Sequence, residues 1–216
     1  MITDVVQDYL KTIYKTQVEN HQVTTSSIAK YLEVSAGTAT TMIKKLADMK
    51  LVVHEPYRGV RLTEAGQKTA LEIIRHHRLV ETCLAQVLGL AWDEVHDEAE
   101  KWEHALSEHL EDHIDEYLGH PDHDPHGAPI PSAGGELPAL PRKSLLNLAP
   151  GAATEVVEVS DHDSELLRYY SSLGIKLKAR VLLLKIEPFD GPLTIQIDND
   201  AEKVISRTAA EHVFVR

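Results

Sequence analysis

The chain has 216 residues, 43% apolar and 26% charged, a balance that excludes wholesale disorder and suits one large domain or two small ones with real cores. With no apolar run approaching ~18 residues, no basic flank or apolar stretch of a signal peptide at the start and a single cysteine, Cys83, the expectation is a cytoplasmic protein without a membrane span or internal disulfide. The net charge of −12 argues against a uniformly basic nucleic-acid binder, but it is unevenly spread. Residues 1–71 hold 9 Lys/Arg and 7 Asp/Glu, residues 72–149 hold 5 and 16, and residues 150–216 hold 8 and 11.

Apolar residues at helical spacing (Val5, Val6, Tyr9, Leu10, Ile13, Tyr14) predict a helix over 3–19. Residues 24–50 read as two short helices around a turn at Val34-Ser35. Thr24 or Thr25 caps the first, Ile28, Ala29 and Leu32 lie on its inner face, and Ala39, Ile43 and Leu46 are buried on the second. Residues 51–62 read as a β-hairpin with Pro56 and Gly59 at its tip. Helix, turn, helix, hairpin is the winged helix-turn-helix order, whose second helix enters the major groove.

Its candidate DNA contacts are Thr25, Ser26, Ser35, Gly37, Thr38, Thr40, Thr41, Lys44, Lys45 and the wing residue Arg58. Short hydroxyls let backbone approach the duplex and bond phosphate, a threonine methyl packs on thymine, and the basic residues meet phosphate or the minor groove. No Arg, Asn or Gln points from this helix toward base edges, so specificity is expected partly from DNA shape and paired half-sites.

A long helix is expected from Thr63-Glu64 to about Leu88, and another from Trp92 to Leu118, with an inner stripe of Trp92, Val95, Ala99, Trp102, Leu106, Leu110, Ile114 and Tyr117. Residues 119–150 carry 7 of the 10 prolines and read as loop and linker rather than packed structure. Beyond them come short β-rich runs at 155–159, 179–187 and 193–198, a brief helix at 164–173 and a last strand at 213–215, together a small β-barrel domain. The fold class is mainly α (α+β overall), with domains at 1–72, 73–142 and 150–216.

Nine of the 13 histidines fall in the acidic middle third. Carboxylates concentrated with imidazoles suit a divalent cation, although an acidic solvated surface has the same composition. On a continuous helix Glu100, Glu103 and His104 share one face, and Asp8 on the first helix can join them. His77 and Glu81, four apart, can meet His96, and the linker adds Asp124 and His126. Cys83 reads as packing rather than ligand. No HExxH, Walker-type loop, GxGxxG or GxSxG occurs, so no enzyme class is indicated. A hydrolase using the carboxylate–histidine cluster with bound water and a metal-independent regulator are the alternatives of another kind.

The runs His76-His77-Arg78-Leu79, Gly89-Leu90, Val95-His96-Asp97-Glu98-Ala99, Trp102-Glu103-His104 and His126-Gly127-Ala128-Pro129-Ile130-Pro131 resemble, in the same order, the diphtheria-toxin-repressor family of iron- and manganese-dependent regulators. The resemblance implies a winged-helix domain, a helical dimerisation domain and a Src-homology-like β-barrel. It also implies a homodimer on a palindromic DNA operator and repression of metal-uptake genes. It places a principal site at Asp8, Glu100, Glu103 and His104. Asp8 and Glu100 stand where iron-type members carry Met and Cys, which points to Mn(II), with Fe(II) the alternative.

A second site follows either from His77, Glu81 and His96 or from Glu81, Asp124 and His126, completed by Asp163 (or Asp161 or Glu165) of the barrel. Two metal sites per chain are therefore expected. Lys11 stands where short manganese regulators have a Glu that supports a binuclear site. In the metal-free protein the acidic cluster is expected to repel itself and leave the first helix loosely tied.

Overall fold

The computed structural model describes every residue except Met1, His21, residues 56–58, residues 139–142 and His162, and only the backbone of Glu19, Asn20 and Glu55. The Pro56 turn and the Arg58 contact expected from sequence lie outside the described residues. Two compact units result, one of residues 1–77, 102–108 and 131–137, the other of residues 78–101, 109–130 and 138–216.

The first unit opens with α1 (Asp4–Asn20), followed by α2 (Thr25–Tyr31), α3 (Ala36–Asp48), β1 (Val52–Glu55), β2 (Gly59–Leu62) and the start of α4 (Glu64–Gln86). Val6, Leu10 and Ile13 of α1 are fully buried with Ile28, Ile43, Leu46 and Val60, as helical spacing predicts. Thr24 caps α2 through a reciprocal bond pair with Ser27, and Ser35 caps α3 by accepting from Thr38 N. The strands pair antiparallel from Val52↔Leu62 to Glu55↔Gly59. Gly59 has φ +88°, and a Cβ there would stand 2.2 Å from Val23 O. Only glycine lets the wing close against the α1–α2 connection.

The second unit carries the rest of α4, α5 (Val95–Trp102, ending in the first unit), α6 (Glu108–Tyr117) and the C-terminal domain. In that domain β3 (Lys143–Ser144), β4 (Ala153–Val159), β5 (Arg180–Ile186), β6 (Leu193–Ile197), β7 (Glu202–Ile205) and β8 (Val213–Val215) form one antiparallel sheet in the order β3-β8-β4-β5-β6-β7. Register shifts at Val156/Glu158 and Leu183/Lys185 bend it around a core of Val156, Leu167, Tyr170, Val181, Ile195 and Val215. The helices α7 (Ser164–Leu173) and α8 (Arg207–Glu211) cover that core. This is the expected small Src-homology-like barrel. β7 and α8 were not anticipated, because four- and five-residue elements carry too little periodicity to register.

Two expectations are corrected. The helix predicted from Trp92 to Leu118 is broken: α5 ends at Trp102, residues 103–107 form a turn, and α6 begins at Glu108. Ala105 N bonds Trp102 O in a tighter turn, and the Glu103 carbonyl accepts from His76 Nδ1 at 3.1 Å rather than continuing the helix. Trp102, Leu110 and Tyr117 of the supposed inner stripe are 54%, 51% and 75% exposed.

The proline-rich segment is not all linker. Asp124, His126, Ala128 and Ile130 are buried. Asp124 Oδ1 accepts from His126 N and Ala128 N, and Val159 N donates to His126 O at 2.9 Å, so a side-chain-capped turn is stitched to β4.

Candidate metal centres and nucleic-acid surface

In the first unit, α1 and the turn after α5 bring three donors together. The Asp8 Oδ1 atom lies 2.8 Å from His104 Nε2, which is 3.6 Å from Glu103 Oε1. All three residues offer ligand atoms within 4.8 Å of one another. His104 Nδ1 donates to Gln7 Oε1 at 2.9 Å, which turns Nε2 toward the carboxylates, where it can serve as a ligand. Glu103 is fully buried, with Lys11 Nζ at 2.7 and 2.9 Å from its oxygens and His77 Nδ1 at 2.5 Å from Oε2.

Burial pushes the Glu103 carboxyl up, but the His77 hydrogen bond and the Lys11 charge outweigh it and hold the group below its usual range. Asp8 is shifted up, mainly by burial, against the opposing charges of His104 and Lys11. The expectation of a self-repelling cluster with α1 loosely tied is therefore overturned. A buried ammonium already bridges α1 to the Glu103 turn.

Glu100 belongs to the second unit, where its Oε1 lies 3.8 Å from His96 Nε2. Because α5 stops at Trp102, Glu103 and His104 lie past its end, so helical i, i+3, i+4 spacing no longer describes how they relate to Glu100. His77 turns its Nδ1 to Glu103 in the first unit.

The second unit gathers donors around Glu81, which is fully buried on α4. Its Oε1 is 3.2 Å from His96 Nδ1, and its Oε2 is 3.8 Å from His126 Nδ1. Glu81, Asp124 and His126 bring ligand atoms within 4.8 Å of one another, as do Glu81, His96 and Asp161. The barrel carboxylate that reaches this site is Asp161, 3.7 Å from His96 Nδ1, not Asp163. Asp163 caps α7, its Oδ1 accepting from Glu165 N and Leu166 N, a role that draws it away.

Two buried atoms here, Asp124 Oδ2 and His126 Nδ1, make no hydrogen bond among the described residues. Arg78 Nε stands 3.5 Å from the former. Buried polar atoms without a hydrogen bond are costly, and Asp124 and His126 both offer ligand atoms within 4.8 Å of one another and of Glu81. The donor set fits a divalent cation: carboxylate oxygens and an imidazole whose Nε2 is already committed to Trp92 O at 2.6 Å. Burial, then the Glu81 charge, raises Asp124 to about 7. For His126 the burial effect is overcome by Glu81 and Asp124, which raise it to about 9.

Gly127, at φ +90°, lets this turn touch β4: a Cβ would stand 2.1 Å from Val157 O. Gly127→Ala is expected to cost about 2–4 kcal/mol from strain and overpacking and to remove one bound cation per chain. Thermal melts and metal stoichiometry check both.

On α3, Ser35, Gly37, Thr38, Thr40, Thr41, Lys44 and Lys45 are exposed; on α2 Ser26 is exposed and Thr25 half-buried. Thr40 and Thr41 donate back to Ala36 O and Gly37 O at 2.7 and 2.9 Å, leaving their lone pairs and methyl groups for a ligand. Sequence reasoning missed Gln7, which orients His104, and put Asp163 ahead of Asp161. Neither Gln7 nor Asp161 lies in a motif, and tertiary packing is what gives each its partner.

A winged helix-turn-helix with an open recognition helix, carried with two carboxylate–imidazole clusters, defines a metal-responsive DNA-binding regulator. Three family models match in chain order: the iron dependent repressor N-terminal DNA binding domain at residues 1–60, the iron dependent repressor metal binding and dimerisation domain at 63–132, and the FeoA domain at 143–216.

The iron-dependent repressor IdeR of Mycobacterium leprae is 33% identical over 192 residues, covering 83% of this chain and 84% of that protein. The diphtheria toxin repressor of Corynebacterium diphtheriae is 31% identical over 160 residues, 72% and 71% of the two chains. A manganese-dependent transcriptional repressor solved in complex with manganese is 42% identical, with a TM-score of 0.92 over 97% of this chain and 98% of that one. The chain belongs to the diphtheria-toxin-repressor/IdeR family of metal-dependent transcriptional repressors. Among the described residues no helix is long and apolar enough to cross a membrane.

Proposed function

We propose that this repressor is activated by manganese, binding one ion at Asp8, Glu103 and His104 and further cation at the Glu81 cluster. The carrying observation is the donor chemistry: in both clusters every candidate ligand is a carboxylate oxygen or an imidazole nitrogen, the hard set that Mn(II) prefers over softer metals. The similarity to a manganese-bound repressor supports the same reading.

At the second site the buried Asp124 and His126 atoms that make no hydrogen bond among the described residues favour Glu81 with Asp124 and His126 as the metal-holding set. His96 and Asp161 lie on the other oxygen of Glu81. The protein acts in the cytoplasm as a homodimer, with domains near 1–72, 73–142 and 150–216, and exposed Leu110 and Tyr117 of α6 contribute to the dimer surface. Cation binding strengthens the tie between α1 and the Glu103 turn. It thereby holds two recognition helices about one DNA turn apart, ~34 Å, on a palindromic operator.

Anaerobic titration of operator binding with Mn(II) and with Fe(II) tests the assignment. Activation at lower free Mn(II) is expected, and preferential activation by Fe(II) would reassign the metal. Contact is phosphate-dominated. With Lys44 and Lys45 of each copy engaged, affinity is expected to fall ~100-fold between 50 and 200 mM salt. A flat salt response, or an unchanged slope in the doubly alanine-substituted protein, contradicts that surface.

A further inference from the structure

We propose that Lys11 is a built-in competitor of the metal ion: its ammonium rests on Glu103 as a tethered cation and sets the metal concentration at which the principal site fills. The proposal rests on the reading that Asp8, Glu103 and His104 hold the cation.

Lys11 and Glu103 are 6% and 0% exposed at their side chains, and Nζ engages both carboxylate oxygens, at 2.7 and 2.9 Å. Lysine is seldom buried this deeply unless paired. The closer of these oxygens, Oε1, is the one that faces His104 Nε2 at 3.6 Å. An ion that takes Asp8 and His104 must therefore share Oε1 with the ammonium or displace it. Asp8 and Glu103 together offer two negative charges, and Lys11 cancels one of them before any metal arrives. Repulsion between a divalent ion and an ammonium a few ångströms away is strong at a half-buried site. The same contact anchors α1 to the Glu103 turn without metal. One side chain thus stabilises the metal-free protein and weakens its grip on the ion, as linkage requires of a ligand that competes for one carboxylate.

Lys11→Met and Lys11→Gln remove the charge, and Lys11→Arg keeps it. Manganese binding is followed by calorimetry of the full-length protein, the relevant event being the one lost in Asp8→Asn. The two neutral variants are expected to bind manganese ~10-fold tighter or more. They are also expected to melt about 5 °C or more lower without metal, with most of that loss restored by saturating manganese, while Lys11→Arg stays near the parent in both. A lysine with a merely structural role would lower stability and leave affinity unchanged or weaker. Unchanged or weaker affinity in the neutral variants, or equal tightening in Lys11→Arg, overturns the proposal. If Lys11→Met does not fold, Lys11→Gln carries the test. Undiminished manganese binding in Asp8→Asn is a separate failure: it removes the site reading, and the proposal with it.

Discussion

Replacing His104 with alanine is expected to abolish metal-stimulated operator binding and to leave the metal-free fold nearly as stable as the parent. The imidazole is one of the three donors proposed for the principal site, with Nε2 facing Asp8 and Glu103 and Nδ1 held by Gln7. Changing even an outer partner of a metal ligand costs ~10–100-fold in metal affinity, so deleting the ligand itself costs at least ~100-fold. Stability falls by only about 1–2 kcal/mol, because the lost contacts are one hydrogen bond and two ion pairs of a partly exposed imidazole, the one to Glu103 long at 3.6 Å.

Glu103→Ala is the poorer test, since it strands Lys11 and His77 in a buried site without their carboxylate, at about 3–5 kcal/mol. Metal and DNA binding are coupled reciprocally. In the parent the operator is expected to tighten metal binding by the same factor that the metal tightens operator binding, and in His104→Ala both factors are expected to fall to one. Titrations of each ligand with and without the other measure this. A variant that still responds to manganese at parent concentrations would remove His104 from the site.

The winged-helix order was legible because its helices and strands bury one clear face each: Val6, Leu10 and Ile13 on α1, and Ala39, Ile43 and Leu46 on α3. The barrel was legible through alternation such as Leu193, Ile195 and Ile197. Legibility failed at 103–107, where the apolar spacing continues through a segment whose backbone has left the helix. Its polar side chains are captured by α1 and α4 instead: Glu103 by Lys11 and His77, His104 by Gln7 and Asp8. Periodicity reports local preference and says nothing of partners some 90 residues away. The same limit hid the packed turn at 124–130, where proline and glycine counts suggested a linker although Asp124 caps its own backbone and buries the segment.

The candidate metal donors were recognisable by type, and several partners remained open. His77 and Glu81 look equivalent on a helical wheel; in the structure His77 Nδ1 meets Glu103, and Glu81 meets His96 and His126. Among the three barrel acids, nothing in sequence separates Asp161 from Asp163. What separates them is that Asp163 starts a helix, a job that consumes a side-chain oxygen.

Cation binding at the Glu81 cluster is expected to weaken steeply in acid, because the ion must displace protons already there. Asp124 titrates near 7 and His126 near 9 in the metal-free protein, against ordinary values of 3.8 and 6.5, in steps that belong to the coupled set rather than to either residue alone. Below pH 7 each ion displaces about two protons, and apparent affinity gains ~100-fold per pH unit. Between 7 and 9 it displaces about one, and the gain is ~10-fold per unit.

The sign for stability is opposite in the metal-free protein. Both folded-state values are raised, so their stabilising contribution is complete below the ordinary values and is lost as pH climbs through 7 and then 9. Manganese replaces the departing protons as the positive charge in the cluster, so the metal-bound protein gains relative stability over the same interval. Calorimetry in buffers of different ionisation enthalpy counts the protons released per ion, about two at pH 6 and one at pH 8. Asp124→Asn combined with His126→Gln loses this second binding event and flattens the pH dependence of the metal-free melting temperature. A binding event at this site that releases no protons would mean that Asp124 and His126 do not hold the ion.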